Sequence, residues 1–232
     1  MQVCHVRCLG FVPYQQAWDL QAELASKIAA GEIPPTLLLL EHPHTYTFGR
    51  RGQSANLIWN EPELKKRGIE VYWVDRGGDV TYHGPGQLVG YPIIPLRIND
   101  LVMPVQAGST HFPQADYTGY LRKLEQVLIR ALSDFGVQAE TFKNLTGVWV
   151  NGAKIAAIGV KVDSHGITRH GFALNVAPDM TYWDGIIACG LAGHSVTSLA
   201  SLLPDPPLME QVIQAVMSAF ENLFEVECVI VS

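Results

Sequence analysis

Hydrophobic and polar positions change period several times along the chain, and each change marks an element. Residues 3 to 9 read as a short strand. After Pro13, Ala17, Leu20, Leu24 and Ile28 recur at helical spacing up to Gly31, which predicts a packing helix. Thr36 to Leu40 is an unbroken apolar run that predicts a buried strand, which Pro43 breaks into a polar, aromatic loop over Glu41 to Gly49. Glu70 to Val74 and Leu88 to Pro95 also read as buried strands. From Gln114 to Phe135, an apolar stripe of Tyr117, Leu121, Leu124, Leu128, Leu132 and Phe135 predicts a core helix that Gly136 closes. The stretch before it, Asp100 to Pro113, has no period and reads as a surface loop.

The β signal is clearest between residues 146 and 176. Asn151-Gly152 lies between Gly147 to Val150 and Ala153 to Ile158, the pattern of a tight hairpin. A second turn at Asp163 to Gly166 joins strands Ile155 to Val162 and Ile167 to Val176, a meander that brings Lys154, Gly159, His170 and Gly171 together, with Lys161 left on the surface. Leu208, Val212, Val216, Phe220 and Leu223 mark a last helix, and Val226, Cys228 and Ile230 alternate as a last strand, with Cys228 a core residue. Helices between partly hairpin-linked strands predict an α/β fold with a mixed β-sheet and packing helices.

Composition narrows the function. A chain of 232 residues with 48% hydrophobic content suits a single domain, residues 1 to 232, with a sizeable core. A net charge of -6 offers no broad basic face and argues against nucleic acid as the main partner. An acidic protein partner would need a local patch, which Arg50, Arg51, Lys65, Lys66, Arg67 and Arg76 would supply. No apolar run reaches the roughly 18 residues of a membrane helix and no leader pattern opens the chain, so a soluble cytoplasmic protein with free thiols is expected. Cys4, His5 and Cys8 lack a second ligand pair, and His42 with His44 lacks a third ligand, so no metal is expected; the two histidines read as structural or as substrate wall.

Residues 76 to 91, Arg-Gly-Gly-Asp-Val-Thr-Tyr-His-Gly-Pro-Gly-Gln-Leu-Val-Gly-Tyr, place five glycines among a cation, a histidine and hydroxyl groups. Gly77 and Gly78 permit a ligand to lie on the main chain, and Gly84-Pro85-Gly86 suits a rigid turn beside His83. The stretch resembles the signature of the octanoyltransferases that make protein-bound lipoate. Three further segments are similar to that family in the same order: LLLLEHPHTYTFGRRG at 37 to 52, GAKIAAIGVKV with HGFALNV at 152 to 176, and ACGLAGHSVTSL at 188 to 199.

The resemblance implies the biotin and lipoate ligase fold. It also implies an acyltransferase that moves an octanoyl group from acyl carrier protein to a lysine of a lipoyl domain. The acceptors it implies are the lipoyl domains of 2-oxoacid dehydrogenase complexes and the glycine cleavage H protein, with no cofactor; a monomer is expected. On this resemblance Cys189 is the acyl-carrying nucleophile, in a segment whose small neighbours leave room for a chain and for backbone N–H groups near an oxyanion. Lys154 takes the family's catalytic position: its ammonium favours the thiolate, and its amine accepts a proton from the incoming lysine. Substrate is bound by Arg76, Gly77, Gly78, Asp79, Val80, Thr81, Tyr82 and His83, by Ala157, Ile158 and Gly159, and by Gly171, Phe172 and Ala173. His83 and His170 add hydrogen bonds, and His83 orients without acting as the base. Two other readings stay open. An ATP-dependent lipoate ligase would need nucleotide contacts, and the chain has no GxxxxGK[ST] loop. A silent acyl-binding protein would have no use for both Lys154 and Cys189.

Overall fold

Ten strands form two sheets in the computed structural model, which describes residues 2–96, 116–187 and 195–231. The larger sheet has seven strands: β1 (Gln2–Phe11), β2 (Thr36–Glu41), β6 (Gln87–Ile93), β7 (Val148–Val150), β8 (Ala153–Val162), β9 (Thr168–Asn175) and β10 (Val226–Ile230), in the order β10-β1-β2-β6-β9-β8-β7. Within this sheet β10, β1 and β2 run parallel, and every other pairing is antiparallel. In the smaller sheet β3 (Thr45–Phe48) lies between β4 (Glu70–Trp73) and β5 (Val80–His83).

Both faces of the large sheet are covered, which is why β2 reads as a continuous apolar run. Leu38 and Leu40 face helix α1 (Tyr14–Ala29), which contributes Ala17, Leu24 and Ile28 to that layer. Leu37 and Leu39 face the opposite layer, built from α3 (Tyr117–Ser133) and α4 (Met209–Phe224) around Leu128, Val216 and Phe220. The small sheet buries Tyr46, Phe48, Val80 and Tyr82 against Trp183 and Ile186, below the short helix α2 (Glu61–Lys66) that adds Leu64. Among the described residues no helix is long and apolar enough to cross a membrane.

Several elements fall where the periodicity puts them. At the β7–β8 hairpin, Asn151 and Gly152 both have positive φ, 49° and 80°, as a two-residue turn of mirror type requires. Other segments differ from expectation. Thr45–Phe48 is a fully buried strand and not a loop, because its polar residues hydrogen-bond inside the small sheet. Val80–His83 is likewise a strand within the glycine-rich stretch. β4 is an edge strand, so Trp73 remains 57% exposed where a buried strand was expected. The buried stripe of α3 runs through Tyr120, Leu124, Val127, Leu128, Ala131 and Leu132, which leaves Tyr117 near the surface. Cys228 is half-buried, packed beside Cys4 from the edge strand. The loop expected at Asp100 to Pro113 and residue Gln114 lie outside the described residues.

Candidate active site

A cavity of about 530 Å³ opens between the two sheets. One wall comes from the smaller sheet and the turn leading into it, Arg76, Gly77, Gly78, Asp79, Val80, Thr81 and His83. The other comes from β8 and β9, through Ala157, Ile158, Gly159, Gly171, Phe172 and Ala173, which the antiparallel register sets side by side with Gly159 opposite Gly171. Tyr82 turns away, because side chains alternate along a strand. Its ring joins Tyr46, Tyr182 and Trp183, and its hydroxyl lies 2.9 Å from His44 Nδ1.

The first wall is held by buried polar contacts. Arg76 is 7% exposed and donates from Nη2 to the Thr47 carbonyl at 2.5 Å and to Thr47 Oγ1 at 2.9 Å, and from Nη1 to the Gly77 carbonyl at 2.9 Å. Asp79 accepts from Val80 N–H at 2.7 Å, from Gln53 N–H at 3.1 Å and from Asn56 Nδ2, so it ties residues 53–56 to the wall. Burial pushes the His83 imidazole well below its ordinary pKa, and the neighbouring His42 and Arg76 push it the same way. His83 is therefore neutral at physiological pH, 3.0 Å from Gln87 Oε1 and 3.3 Å from Thr47 Oγ1. His42 sits behind it, bonded to the Val12 carbonyl and to Tyr91 Oη, each at 2.7 Å. His42 and His44 thus serve packing and hydrogen bonding.

The walls meet where Gly77 N–H donates to the Val160 carbonyl at 3.0 Å. A Cβ on Gly159 would lie 2.9 Å from the Gly77 carbonyl oxygen, so glycine there is what permits the close approach. Beside this seam, Asp75 accepts from His170 Nε2 at 2.7 Å, from Arg169 at 3.2 Å and from Lys161. The His170 hydrogen bond, then Lys161, holds the Asp75 carboxyl well below the usual carboxylate range. His170 itself is lowered by burial, which the Asp75 charge partly offsets. Lys161, expected on the surface, is instead partly covered by this pairing, at 23% side-chain exposure.

Lys154 lines the cavity at 7% exposure, with Nζ 3.3 Å from the Thr146 carbonyl and 4.7 Å from the centre of the Trp149 ring. Its N–H donates to the Ser195 carbonyl and its carbonyl accepts from Thr197 N–H, both at 2.9 Å. Cys189 lies outside the described residues, as does its separation from Lys154. The basic residues divide: Arg76 is buried, Arg67 is bound to Glu63 at 2.6 Å and lies over Trp59 at 4.0 Å, and Arg50, Arg51, Lys65 and Lys66 are exposed. Thr47, Asp75, Gln87 and Asn175, which organise the walls, were not singled out from sequence. The last two lie within the signature segments, in HGPGQLVGY and HGFALNV, and that position was the available signal.

A cavity whose lining combines glycine-rich backbone with the Lys154 side chain suits a chain that reacts at one end. Residues 13–221 match the family described as lipoyl protein ligase A/B catalytic domain. The chain is 48% identical over 218 residues to an octanoyltransferase of Rubrobacter xylanophilus, covering 94% of this chain and 91% of that protein. It is 44% identical over 229 residues to an octanoyltransferase of Chloroflexus aurantiacus, covering 98% and 96%. Its fold resembles the bipartite lipoate protein ligase of Thermoplasma acidophilum at a TM-score of 0.74 and 15% identity, over 100% of this chain and 88% of that one. It also resembles the biotin protein ligase of Aquifex aeolicus at a TM-score of 0.51 and 10% identity, over 97% and 70%. At these coverages the chain belongs to the lipoyl protein ligase A/B catalytic-domain family, as one of its octanoyltransferases.

Proposed function

We propose that the protein moves an octanoyl group from acyl carrier protein to a lysine of a lipoyl domain in two steps, through a thioester on Cys189. In the first, the Cys189 thiolate attacks the carrier thioester carbonyl. The tetrahedral intermediate collapses, and the carrier's pantetheine sulfur leaves with a proton from the Lys154 ammonium. In the second, the acceptor lysine amine attacks the Cys189 thioester and gives its proton to neutral Lys154, which restores the thiolate and the ammonium.

The observation that carries the reading is the cavity whose two backbone-lined walls, Arg76 to Thr81 with His83 and Ala157 to Gly159 with Gly171 to Ala173, share space with the Lys154 side chain. Ser195 and Thr197, shortly after Cys189 in sequence, hydrogen-bond to β8 at Lys154, which favours Cys189 and Lys154 as partners. His83 suits an orienting role, since burial keeps it neutral and both its ring nitrogens already face hydrogen-bond partners.

Incubation with octanoyl carrier protein in the absence of ATP should add one octanoyl group, seen by intact mass and removed by hydroxylamine. Cys189→Ala should abolish both adduct and transfer. An adduct that survives in Cys189→Ala, or that needs ATP, would overturn the thioester route in favour of acid activation.

A further inference from the structure

Behind the first wall runs a chain of buried hydrogen bonds that the two chemical steps do not use. Arg76 Nε and Nη2 lie 3.3 and 2.9 Å from Thr47 Oγ1, and a guanidinium can only donate. The Thr47 hydroxyl proton is therefore directed to His83 Nε2, at 3.3 Å. His83 then carries its proton on Nδ1 and donates to Gln87 Oε1 at 3.0 Å. With Oε1 engaged, Gln87 Nε2 donates to the Tyr82 carbonyl at 3.1 Å and to Asn175 Oδ1 at 2.9 Å. Asn175 Nδ2 in turn donates to the Thr197 carbonyl at 2.9 Å. Thr197 is the residue whose N–H holds the Lys154 carbonyl.

Thr47, His83, Gln87, Asn175 and Thr197 are all 8% exposed or less, so water does not replace a lost link cheaply. Reversing any amide would set donor against donor or acceptor against acceptor, so each link fixes the orientation of the next. The effect reaches the chemistry at one place. Residues 195–197 lie in a short parallel bridge on Lys154, and Asn175 grips that bridge from β9.

We propose that Gln87 and Asn175 are positioning residues for acyl transfer, holding the 195–197 arm against β8 so that Lys154 keeps one placement in the cavity. The proposal rests on the two-step reading above. Gln87 and Asn175 do not line the cavity, so their loss should lower turnover and leave acyl-carrier binding intact.

The test compares Gln87→Leu and Asn175→Leu with wild type and with Val212→Ala, a buried α4 position outside the cavity that serves as a stability control. Each leucine variant should lower kcat by about 10- to 100-fold, the range for a misplaced reactive group, with KM for octanoyl carrier protein within about twofold. The pH dependence of Cys189 alkylation by iodoacetamide, followed on the peptide that contains it, should move to higher pH. Val212→Ala should lose thermal stability and keep kcat and the alkylation profile. Asn175→Ser, which retains one hydrogen-bonding group in less volume, gives a second variant if leucine does not fold, and its kcat should be intermediate. Leucine variants, or the serine variant in their place, with wild-type kcat and alkylation profile would overturn the proposal while the wild-type adduct upholds the thioester reading. No hydroxylamine-labile adduct in wild type would overturn both.

Discussion

The two walls of the cavity are built on opposite plans. The Arg76 to His83 wall is shaped by side chains: a buried guanidinium, a carboxylate and a neutral imidazole are each held by specific hydrogen bonds. The β8–β9 wall is shaped by their absence. A Cβ on Gly171 would fall 2.0 Å from the Gly90 carbonyl oxygen, and one on Gly159 would strike the facing wall. The first wall is therefore vulnerable to changes in polarity and the second to added volume, although both present backbone to the same space.

Lys154 belongs to neither plan, and removing it should have the largest effect. Lys154→Ala should lower turnover by about 10²- to 10⁴-fold, the range for a positioned proton-transfer group, with carrier binding retained. Lys154→Arg should not rescue it, because arginine keeps its proton at neutral pH. Steady-state kinetics with octanoyl carrier protein and a lipoyl domain decide the point: wild-type rates in the arginine variant would show that charge alone suffices.

Volume and polarity can then be set against each other. Gly159→Ala, which must move the Gly77 backbone, should reduce kcat/KM by about 10-fold, the scale on which small misplacements in a reacting geometry act. Thr47→Val keeps the volume and removes the hydroxyl shared by Arg76 and His83; it should destabilise the fold by about 1–3 kcal/mol in urea unfolding. Equal responses to both substitutions would dissolve the distinction between the walls. Gly78→Val is a poor probe of volume, because Gly78 has φ +90° and the substitution strains the backbone whatever the cavity does.

The smallest effect expected from the walls is that of pH on stability. Ala157 to Gly159 and Gly171 to Ala173 carry no titratable side chain, so the first wall bears the dependence. Burial lowers His42, packed against His83, to about 4. On acidification the unfolded chain protonates this residue near its ordinary value of 6.5, and the folded protein does not until about 4. Stability is thus fully present above pH 6.5 and falls toward pH 4, by a term on the order of 3 kcal/mol. His83 has the same sign. Urea midpoints at pH 7.5 and 4.5 should show the loss, and His42→Gln should flatten it; His83 should leave no inflection in kcat/KM between pH 6 and 8.

What could be read from sequence was what is encoded locally. The α1 stripe, the Asn151-Gly152 hairpin and the glycine walls each rest on residues a few positions apart. The second sheet escaped because β3 and β5 are only four residues long, so the polar–apolar alternation of Thr45 to Phe48 spans just two pairs and does not stand out from the loop around it. Tyr82 looked like lining because its neighbours are, and only the strand reveals that it points away. The Asp75–Lys161 pair joins residues 86 positions apart, and the Thr47–His83 link joins residues 36 apart. No spacing rule in one sequence encodes such contacts. Cys189 stands on motif alone, outside the described residues.

The Asp75 contacts have a mechanical meaning. Asp75 follows β4 of the small sheet, and Lys161, Arg169 and His170 belong to the β8–β9 hairpin of the large one, so a single carboxylate clasps the two sheets at one edge of the slot. Parting them there breaks three charge-assisted contacts together with the Gly77–Val160 backbone bond. That edge is the stiff one, and the aperture yields more readily away from it. Asp75, Lys161 and Arg169 are partly exposed while His170 is buried, so salt screens the two cationic contacts more than it weakens the apolar layers. An engineer seeking room for a bulkier acyl chain would loosen Asp75 before carving the lining.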